Sequence, residues 1–233
     1  MGKTISGRGR TIGKMVVRFL LPAILLLTVG CAPSLYHIDV RYVPTKRLPQ
    51  ADAAVKKETL TVANFRDLRT IDDPLKVGYV LKPQGKKIYI LPSQTKIPDA
   101  VTAGVREYFH QAGYSVSGVK PEWDLREETI DPAWGNLLVG GVINKLEVVC
   151  DDSEPLSPVK TYSAVVNLGI TFADVARKRI VYRTSVEGSA SLKDVSFSVE
   201  KLEGQLNGAL ADVIERLLAG AQFREELKKA AAR

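Results

Sequence analysis

The feature that most constrains the fold is a long segment in which apolar residues stand at every second position. Polar residues occupy most positions between them, and the apolar set is Tyr162, Ala164, Val166, Leu168, Ile170 and Phe172. Alternation with a period of two is typical of a β-strand that buries one face. A turn at residues 174–178 leads into a second alternating segment, residues 180–192, so the pattern predicts a long antiparallel hairpin with one buried face.

The hairpin is followed by the strongest helical pattern in the chain. Apolar residues recur at three- and four-residue spacing over residues 202–218, and Ser198 stands where it can cap the helix. A second amphipathic helix is predicted to begin at Pro98 and to stop at Gly113. Both helices must bury an apolar stripe against the sheet. The sequence therefore predicts an α+β fold, a two-layer sandwich in which a mostly antiparallel sheet carries two main helices on one face.

Further strands are predicted ahead of the hairpin. Residues 59–65 alternate as a half-buried strand does. Between residues 137 and 150 the apolar positions are first odd and then even. A phase slip of one residue inside a strand predicts a β-bulge, here near Asn144 and Lys145.

The first thirty residues have the charge and length profile of a secretory signal. Five basic residues and no acids precede an uncharged run of twelve residues, Phe19–Gly30. A transmembrane helix needs about 20 apolar residues, so this run is short for a span. It leads into a string that resembles a bacterial lipobox, Leu27-Thr28-Val29-Gly30-Cys31. The resemblance implies that Cys31 becomes the new N-terminus and carries diacylglycerol and an N-linked acyl chain, such as palmitate.

These patterns divide the chain into four parts. Residues 1–30 are predicted to be a lipoprotein signal peptide, and residues 31–57 the lipidated cysteine followed by a flexible, proline-containing tether. A tether of about 25 residues has a root-mean-square reach of about 25–30 Å. Residues 58–220 are predicted to form a single α+β domain. Residues 221–233 are charged or alanine-rich and are predicted to fray.

Charge and cysteine content narrow the possible classes of function. The whole chain has a net charge of +7, but removal of the first thirty residues leaves 28 basic and 26 acidic residues, a net charge of +2. A nearly neutral domain lacks the dense basic surface that nucleic-acid binding requires. If Cys31 is lipidated, Cys150 has no partner for an intramolecular disulfide. Its apolar strand favours a structural cysteine over a reactive thiol.

Two pairs of residues are candidates for partner binding. Asp67 and Arg69 lie two apart and are expected to share a strand face, where an ion pair holds the following loop either for a ligand or only for stability. Trp123 and Trp134 lie in a loop-like segment, residues 120–135. Their rings suit contact with a partner or glycan, but they could equally cover the core as a lid.

No catalytic, metal or cofactor site is predicted. The two histidines and two cysteines show no metal-ligand spacing. The string Ser198-Val199-Glu200-Lys201 has the Ser-x-x-Lys form but lacks the companion motifs of penicillin-binding enzymes, and helix capping accounts for Ser198. The sequence therefore does not predict an enzyme, and the covalent lipid on Cys31 is the only attached group expected.

The order of several short motifs resembles the YajG-type bacterial envelope lipoproteins. The matching segments are Phe65-Arg66-Asp67-Leu68-Arg69, Val77-Gly78-Tyr79-Val80 and Gln111-Ala112-Gly113-Tyr114-Ser115-Val116, followed by the long hairpin and final helix. The resemblance covers roughly residues 59–219. It implies a non-enzymatic envelope lipoprotein and supplies no catalytic residues.

Three functions remain open at this point. The first is a lipid-anchored accessory that binds an envelope protein or glycan or assists its assembly. The second is a hydrolase of envelope polymer, which needs a carboxylate or serine of shifted acidity near the two tryptophans. The third is a soluble periplasmic ligand-binding domain, released by cleavage elsewhere than before Cys31. Ala32, directly after the cysteine, favours the periplasmic face of the outer membrane over the inner membrane, and the sequence leaves the oligomeric state open.

Overall fold

The fold is seen in a computed structural model that describes residue 2 and residues 35–53 and 55–232. Cys31 and the predicted signal peptide lie outside the described residues. Leu35–Arg233 forms one compact unit. The domain therefore begins at residue 35 rather than at residue 58, where the sequence pattern placed its boundary.

Nine strands and three helices make up the described part of the chain. The strands are β1 (Tyr36–Ile38), β2 (Thr59–Val62), β3 (Arg66–Asp67), β4 (Gly78–Leu81), β5 (Lys87–Pro92), β6 (Ser115–Val116), β7 (Leu137–Asp151), β8 (Lys160–Asp174) and β9 (Arg179–Asp194). The helices are α1 (Ile97–Gln111), α2 (Val199–Ala219) and α3 (Ala221–Ala231). Short 3₁₀ turns occur at Val55–Lys57, Pro83–Gly85, Glu127–Thr129 and Pro132–Trp134.

The sheet is organised around β7. One edge of β7 pairs with β8 in antiparallel fashion along its whole length, and β9 continues the sheet beyond β8. The other edge of β7 pairs in succession with β2, β3 and β4, all parallel to it. Outside these short strands, β6 pairs with β2, β5 with β4, and β1 with β5. The predicted bulge is confirmed, because the register of β7 shifts between Ile143 and Lys145.

The α+β class is confirmed, but the sheet is mixed rather than mostly antiparallel. Within the described residues, five of the eight strand pairings are parallel. Antiparallel pairing is confined to the long β7–β8–β9 ribbon and to β4–β5. A period-two pattern reports which face of a strand is buried and not the direction of its neighbours. The pattern therefore could not reveal that β7 returns parallel to three earlier strands.

All three helices share one hydrophobic core with the same face of the sheet. The alternating residues of β8, from Tyr162 to Phe172, point into this core, as do Leu206, Leu210 and Val213 of α2. At one end of the sheet the opposite face has a second, smaller core formed by the lid segment, residues 121–135. This partial third layer replaces the predicted simple two-layer sandwich.

Residues 35–53 pack on the domain as an extended strap instead of hanging free as a tether. Ile38, Val40 and Tyr42 are buried at alternate positions. The side chain of Asn207 on α2 accepts a hydrogen bond from the backbone N–H of Arg41 (3.0 Å) and donates one to the carbonyl of Asp39 (2.9 Å). Asn207 thus satisfies both a backbone N–H group and a backbone carbonyl of the strap. This side chain of α2 therefore takes the place of a neighbouring strand.

The end of the strap is held by a buried carboxylate. Glu215 of α2 has a fully buried side chain that lies 3.3 Å from the ammonium of Lys46. It also accepts hydrogen bonds from the backbone N–H (2.7 Å) and the hydroxyl (2.9 Å) of Thr45. A buried carboxylate is tolerated only when it is paired in this way. The predicted 25–30 Å reach of a free tether is therefore wrong for the described part of the segment.

The C-terminal segment is a packed helix and does not fray as predicted. Phe223 of α3 is fully buried, and its ring lies 5.8 Å from that of Phe172 and 5.7 Å from that of Tyr182. Leu227, one turn later, is also buried. Two apolar residues at a spacing of four are enough to dock α3 because they reach the edge of the main core.

We expect Phe223→Ala to lower the free energy of unfolding by about 3–5 kcal/mol, because it leaves a cavity among the rings of Phe109, Phe172 and Tyr182. Gln222→Ala, at the neighbouring exposed position, should change it by less than about 0.5 kcal/mol. Urea denaturation of the two variants measures both values. Equal, small effects would show that α3 frays after all.

Candidate functional site

Arg69 and Asp67 form a structural pair in which the arginine is buried and the carboxylate is 20% exposed. The Arg69 side chain is 2% exposed, and it donates to the Asp67 carboxylate through Nε (2.8 Å) and Nη2 (2.7 Å). Its remaining donors reach three backbone carbonyls, those of Pro74 (2.8 Å), Lys76 (3.0 Å) and Leu146 (3.4 Å). All five guanidinium N–H groups are engaged, so none is left for a ligand. The pair fastens the loop of residues 70–77 to β7.

The acidity of Asp67 agrees with this role. Desolvation alone would raise the pKa of the Asp67 carboxyl, but hydrogen bonds from the side chain and backbone of Arg69 outweigh it and lower the pKa. Asp67 is therefore held ionised as the partner of Arg69. Of the two roles considered for the pair, the contacts favour loop anchoring, although the arginine is buried and not on the surface.

The two tryptophans belong to the lid segment. Trp123 is 2% exposed, packs against Leu138 and Ala173, and donates from Nε1 to the carbonyl of Arg126 (2.9 Å). Trp134 is half-buried against the same small core. Gly140 permits this arrangement, because a Cβ there would come within 2.8 Å of the Trp123 ring and 2.9 Å of Leu125. The Trp123 ring is thus unavailable to a partner in this arrangement.

The lid segment forms the end wall of a groove on the sheet face opposite the helices. The groove has a volume of about 470 Å³ and is bounded by β3 on one side and β9 on the other. Its floor contains Val142 of β7 and Gly169 of β8, which are paired across the two strands. A Cβ at Gly169 would come within 2.8 Å of the Val142 side chain, so glycine keeps the floor low. Exposed Leu68 adds apolar surface at the β3 side.

Two arginines on opposite sides of the groove hold the lid segment. Arg66 of β3 donates to the carbonyl of Asp124 (3.3 Å), and Arg183 of β9 donates to the carbonyl of Leu125 (2.9 Å). Leu125 has a φ of 65°, a left-handed conformation that is uncommon for a leucine. The two arginines therefore bind the consecutive carbonyls of Asp124 and Leu125 and stabilise a strained turn in the lid segment.

The groove is electropositive. It is lined by Arg66, Arg126 and Arg183 and by one acid, Asp124. Asp124 pairs with Arg126, with 2.6 Å between the carboxylate and Nε. Among the described residues, no carboxylate lies within ion-pair distance of Arg66 or Arg183. Two uncompensated guanidinium groups thus border an apolar floor.

The groove does not present a catalytic acid. A hydrogen bond from Thr129, together with those from Arg126, holds the pKa of Asp124 below its usual value. A general acid needs the opposite shift. Cys150 is buried on the helix side of the sheet, and burial raises the pKa of its thiol, which is typical of a structural cysteine. Within the described part of the chain, no group of three or more His, Cys, Asp or Glu side chains is placed to hold a metal ion.

Comparison with known proteins shows a likeness of fold. No protein family and no curated protein matches this chain. The crystal structure of protein XCC0632 from Xanthomonas campestris, described as DUF330, is 16% identical, covers 84% of this chain and 99% of its own, and gives a TM-score of 0.52. At this identity the likeness concerns the fold alone.

Two further solved structures resemble the chain more weakly. A putative neuraminyllactose-binding hemagglutinin homolog from Helicobacter pylori is 14% identical, covers 81% of this chain and 97% of its own, and has a TM-score of 0.43. Lipoprotein GNA1162 from Neisseria meningitidis is 12% identical, covers 70% and 99%, and has a TM-score of 0.29. Likenesses this weak carry no argument. The YajG-type resemblance has no family match to support it. Among the described helices, none combines the length and apolarity of a membrane span.

The groove residues Arg66 and Arg183 were not among the candidates from the sequence. Arg183 stands at a position of the second alternating segment on the face away from the main core, and Arg66 follows directly after the predicted strand of residues 59–65. Exposed arginines are ordinary at both kinds of position. The sequence did contain a signal for this face of the sheet, namely Gly140 and Gly169 inside two long strands. A glycine inside a strand often marks a place where another part of the chain or a ligand comes close to the backbone.

We expect Arg69→Ala to lower the free energy of unfolding by about 3–5 kcal/mol, because it leaves a largely buried carboxylate and three carbonyls without their donor. The matched control is Arg41→Ala. Arg41 also pairs with an acid two residues earlier, Asp39, at 3.5 Å, but its side chain is 62% exposed. That variant should cost less than about 1 kcal/mol. Denaturant unfolding measures both, and equal costs would contradict the structural role of Arg69.

Proposed function

We propose that this protein is a lipid-anchored binding accessory of the bacterial cell envelope, attached through Cys31, which holds a partner in the groove beside the lid segment. The observation that carries the proposal is the groove itself, a concave site of about 470 Å³ with an apolar floor. Concave, mostly apolar surfaces with a few placed polar groups are the usual form of a binding site.

The groove suits a partner that carries an anionic group next to apolar surface. Arginine presents a planar set of donors that matches a carboxylate or phosphate. Arg66 and Arg183 each use part of that set on the lid segment, and a guanidinium has five N–H groups in all. An acidic segment of an envelope protein therefore fits better than a neutral glycan. Burial of Trp123, the ring best suited to a glycan, points the same way.

The proposed anchor rests on the lipobox-like string at Cys31. Each methylene group buried in a bilayer contributes about 0.8 kcal/mol, so a cysteine with several acyl chains is held effectively permanently. The periplasmic face of the outer membrane is the proposed location, on the basis of Ala32. Of the alternatives, a hydrolase lacks a carboxylate of raised pKa in the groove, where the pKa of Asp124 is lowered. The other alternative, a soluble periplasmic ligand-binding domain, requires that the signal is cleaved elsewhere than before Cys31 and that Cys31 carries no lipid.

We expect Cys31→Ser to abolish lipidation and to release the protein from the membrane fraction, because serine offers no thiol for the thioether link. Mass spectrometry of the mature N-terminus and fractionation of cells measure the two effects. Cys150→Ser is the matched control and should stay anchored, since Cys150 is buried in the domain. A serine variant at residue 31 that is still processed and membrane-bound would refute the anchor.

We expect a photoreactive benzoylphenylalanine at Ser185 to cross-link to a partner in living cells, and the same group at Ser189 not to. Both serines are exposed on the same face of β9, but Ser185 lines the groove and Ser189 does not. Arg66→Gln should weaken the Ser185 cross-link about ten-fold, because a hydrogen bond to a charged group contributes about 1.5–3 kcal/mol. Equal cross-linking at both serines, or none at either, would place binding elsewhere.

A further inference from the structure

Exposed apolar side chains gather at one end of the sheet, here called the Leu35 end. At this end β4 and β7 finish at Leu81 and Asp151, which are paired, while β8 begins and β9 finishes. The loop of residues 152–159, between β7 and β8, carries Leu156 with 98% of its surface exposed. Three more large apolar side chains are exposed at this end: Leu35, Val159 and Val195.

The N-terminal chain reaches the domain at the same end. β1 runs parallel to β5, and Tyr36 pairs with Ile90, about three residues from the start of β5 at Lys87. The Tyr36 ring lies 4.9 Å from that of Phe197, which follows β9. Leu35, the first residue of the compact unit, therefore lies at the end of the sheet that carries the 152–159 loop and away from the lid segment.

The covalent chain then limits how far this end can be from a lipid on Cys31. Three residues separate Cys31 from Leu35, where the packed domain begins. A chain extends at most about 3.3–3.6 Å per residue, so Cys31 and Leu35 are no more than about 14 Å apart. This step rests on the proposed lipidation of Cys31. With the anchor in the bilayer, the Leu35 end is the part of the domain that meets the membrane surface.

The charged groups at this end leave a small net positive charge. Lys82 and Lys160 share the single carboxylate of Asp152, at 2.6 and 3.1 Å, so these three groups together carry one positive charge. Lys201 likewise pairs with Asp194 at 2.7 Å. Of the other exposed charges, Lys193 borders the same surface depression as Asp151 and Glu154, and Lys87 lies over the Tyr79 ring. With exposed Lys86, this end has six lysines and four acids, a net charge of +2, which suits a bilayer that contains anionic lipid. Burial of a leucine in the interface contributes about 1.5–3 kcal/mol without any charge.

We infer that the 152–159 loop rests on the bilayer that holds the anchor, with Leu156 inserted among the lipids. The long strands then run from the membrane surface outward. The groove floor at Val142 lies nine residues before Asp151 on β7, which is up to about 30 Å of strand. The domain thus presents its groove away from the lipid that anchors it.

The test uses the full lipidated protein in vesicles of phosphatidylethanolamine and phosphatidylglycerol whose acyl chains carry bromine, a quencher of tryptophan. Leu156→Trp places a ring at the loop tip, a fully exposed position where folding is undisturbed. Val119→Trp is the control, since Val119 is exposed and follows β6, at the opposite end of the sheet. The native Trp123 lies beside Gly140, about 35 Å of strand from Asp151.

We expect the brominated lipid to quench the added emission of Leu156→Trp at least two-fold and to leave Val119→Trp and the wild-type chain unchanged. Quenching of neither variant, or of both equally, in vesicle-bound protein would overturn the inference while leaving the anchor intact. Failure of the wild-type protein to remain with the vesicles would instead refute the proposed function.

Discussion

The structure depends on β7 being hydrogen-bonded along both edges. Its fifteen residues pair with β8 on one side and with three short strands on the other. The approach is close, since a Cβ at Gly78 would lie 1.7 Å from the carbonyl oxygen of Val148. A Cβ at Gly141 would lie 2.3 Å from the carbonyl oxygen of Gly169. The remaining strands, β1, β5, β6 and β9, extend the sheet from the direct partners of β7. The helices and the lid segment pack on the two faces of this sheet.

The same strand explains why the groove exists. The bulge between Ile143 and Lys145 interrupts the pairing of β7 with β8 just past β3, and the side chain of Asn144 there donates to Asn167 (3.0 Å). β3 has only two residues, so the face above it is open. The lid segment closes one end of that opening and the bulge borders the other. A groove between them thus follows from pairing geometry, and the arginines give it charge.

Sequence patterns predicted the elements that are long and bury one face only. The apolar stripe of α2 and the alternation of β8 each extend over many residues. The phase slip in β7 could be recognised because the alternation is long on both sides of it. The strap was missed because Ile38, Val40 and Tyr42 alternate over only five positions, in a segment that contains prolines. The helix α3 was missed because its apolar residues, Phe223 and Leu227, stand in a charged segment. The groove could not be predicted, since Arg66 and Arg183 lie more than a hundred residues apart and meet only through the order of strands.

The strap is held by contacts that form only when the rest of the domain is in place. Its backbone is held by Glu203, Asn207 and Glu215, which follow the residues they bind by 164 to 170 positions along the chain. Contacts of such high sequence separation form late, after the intervening chain is organised. Before α2 docks, residues 35–53 lack the helix that holds them, and once it docks the compact unit begins at Leu35. Formation of α2 therefore completes the domain at both ends of the chain in one step, since the first strand and the last long helix are fixed together.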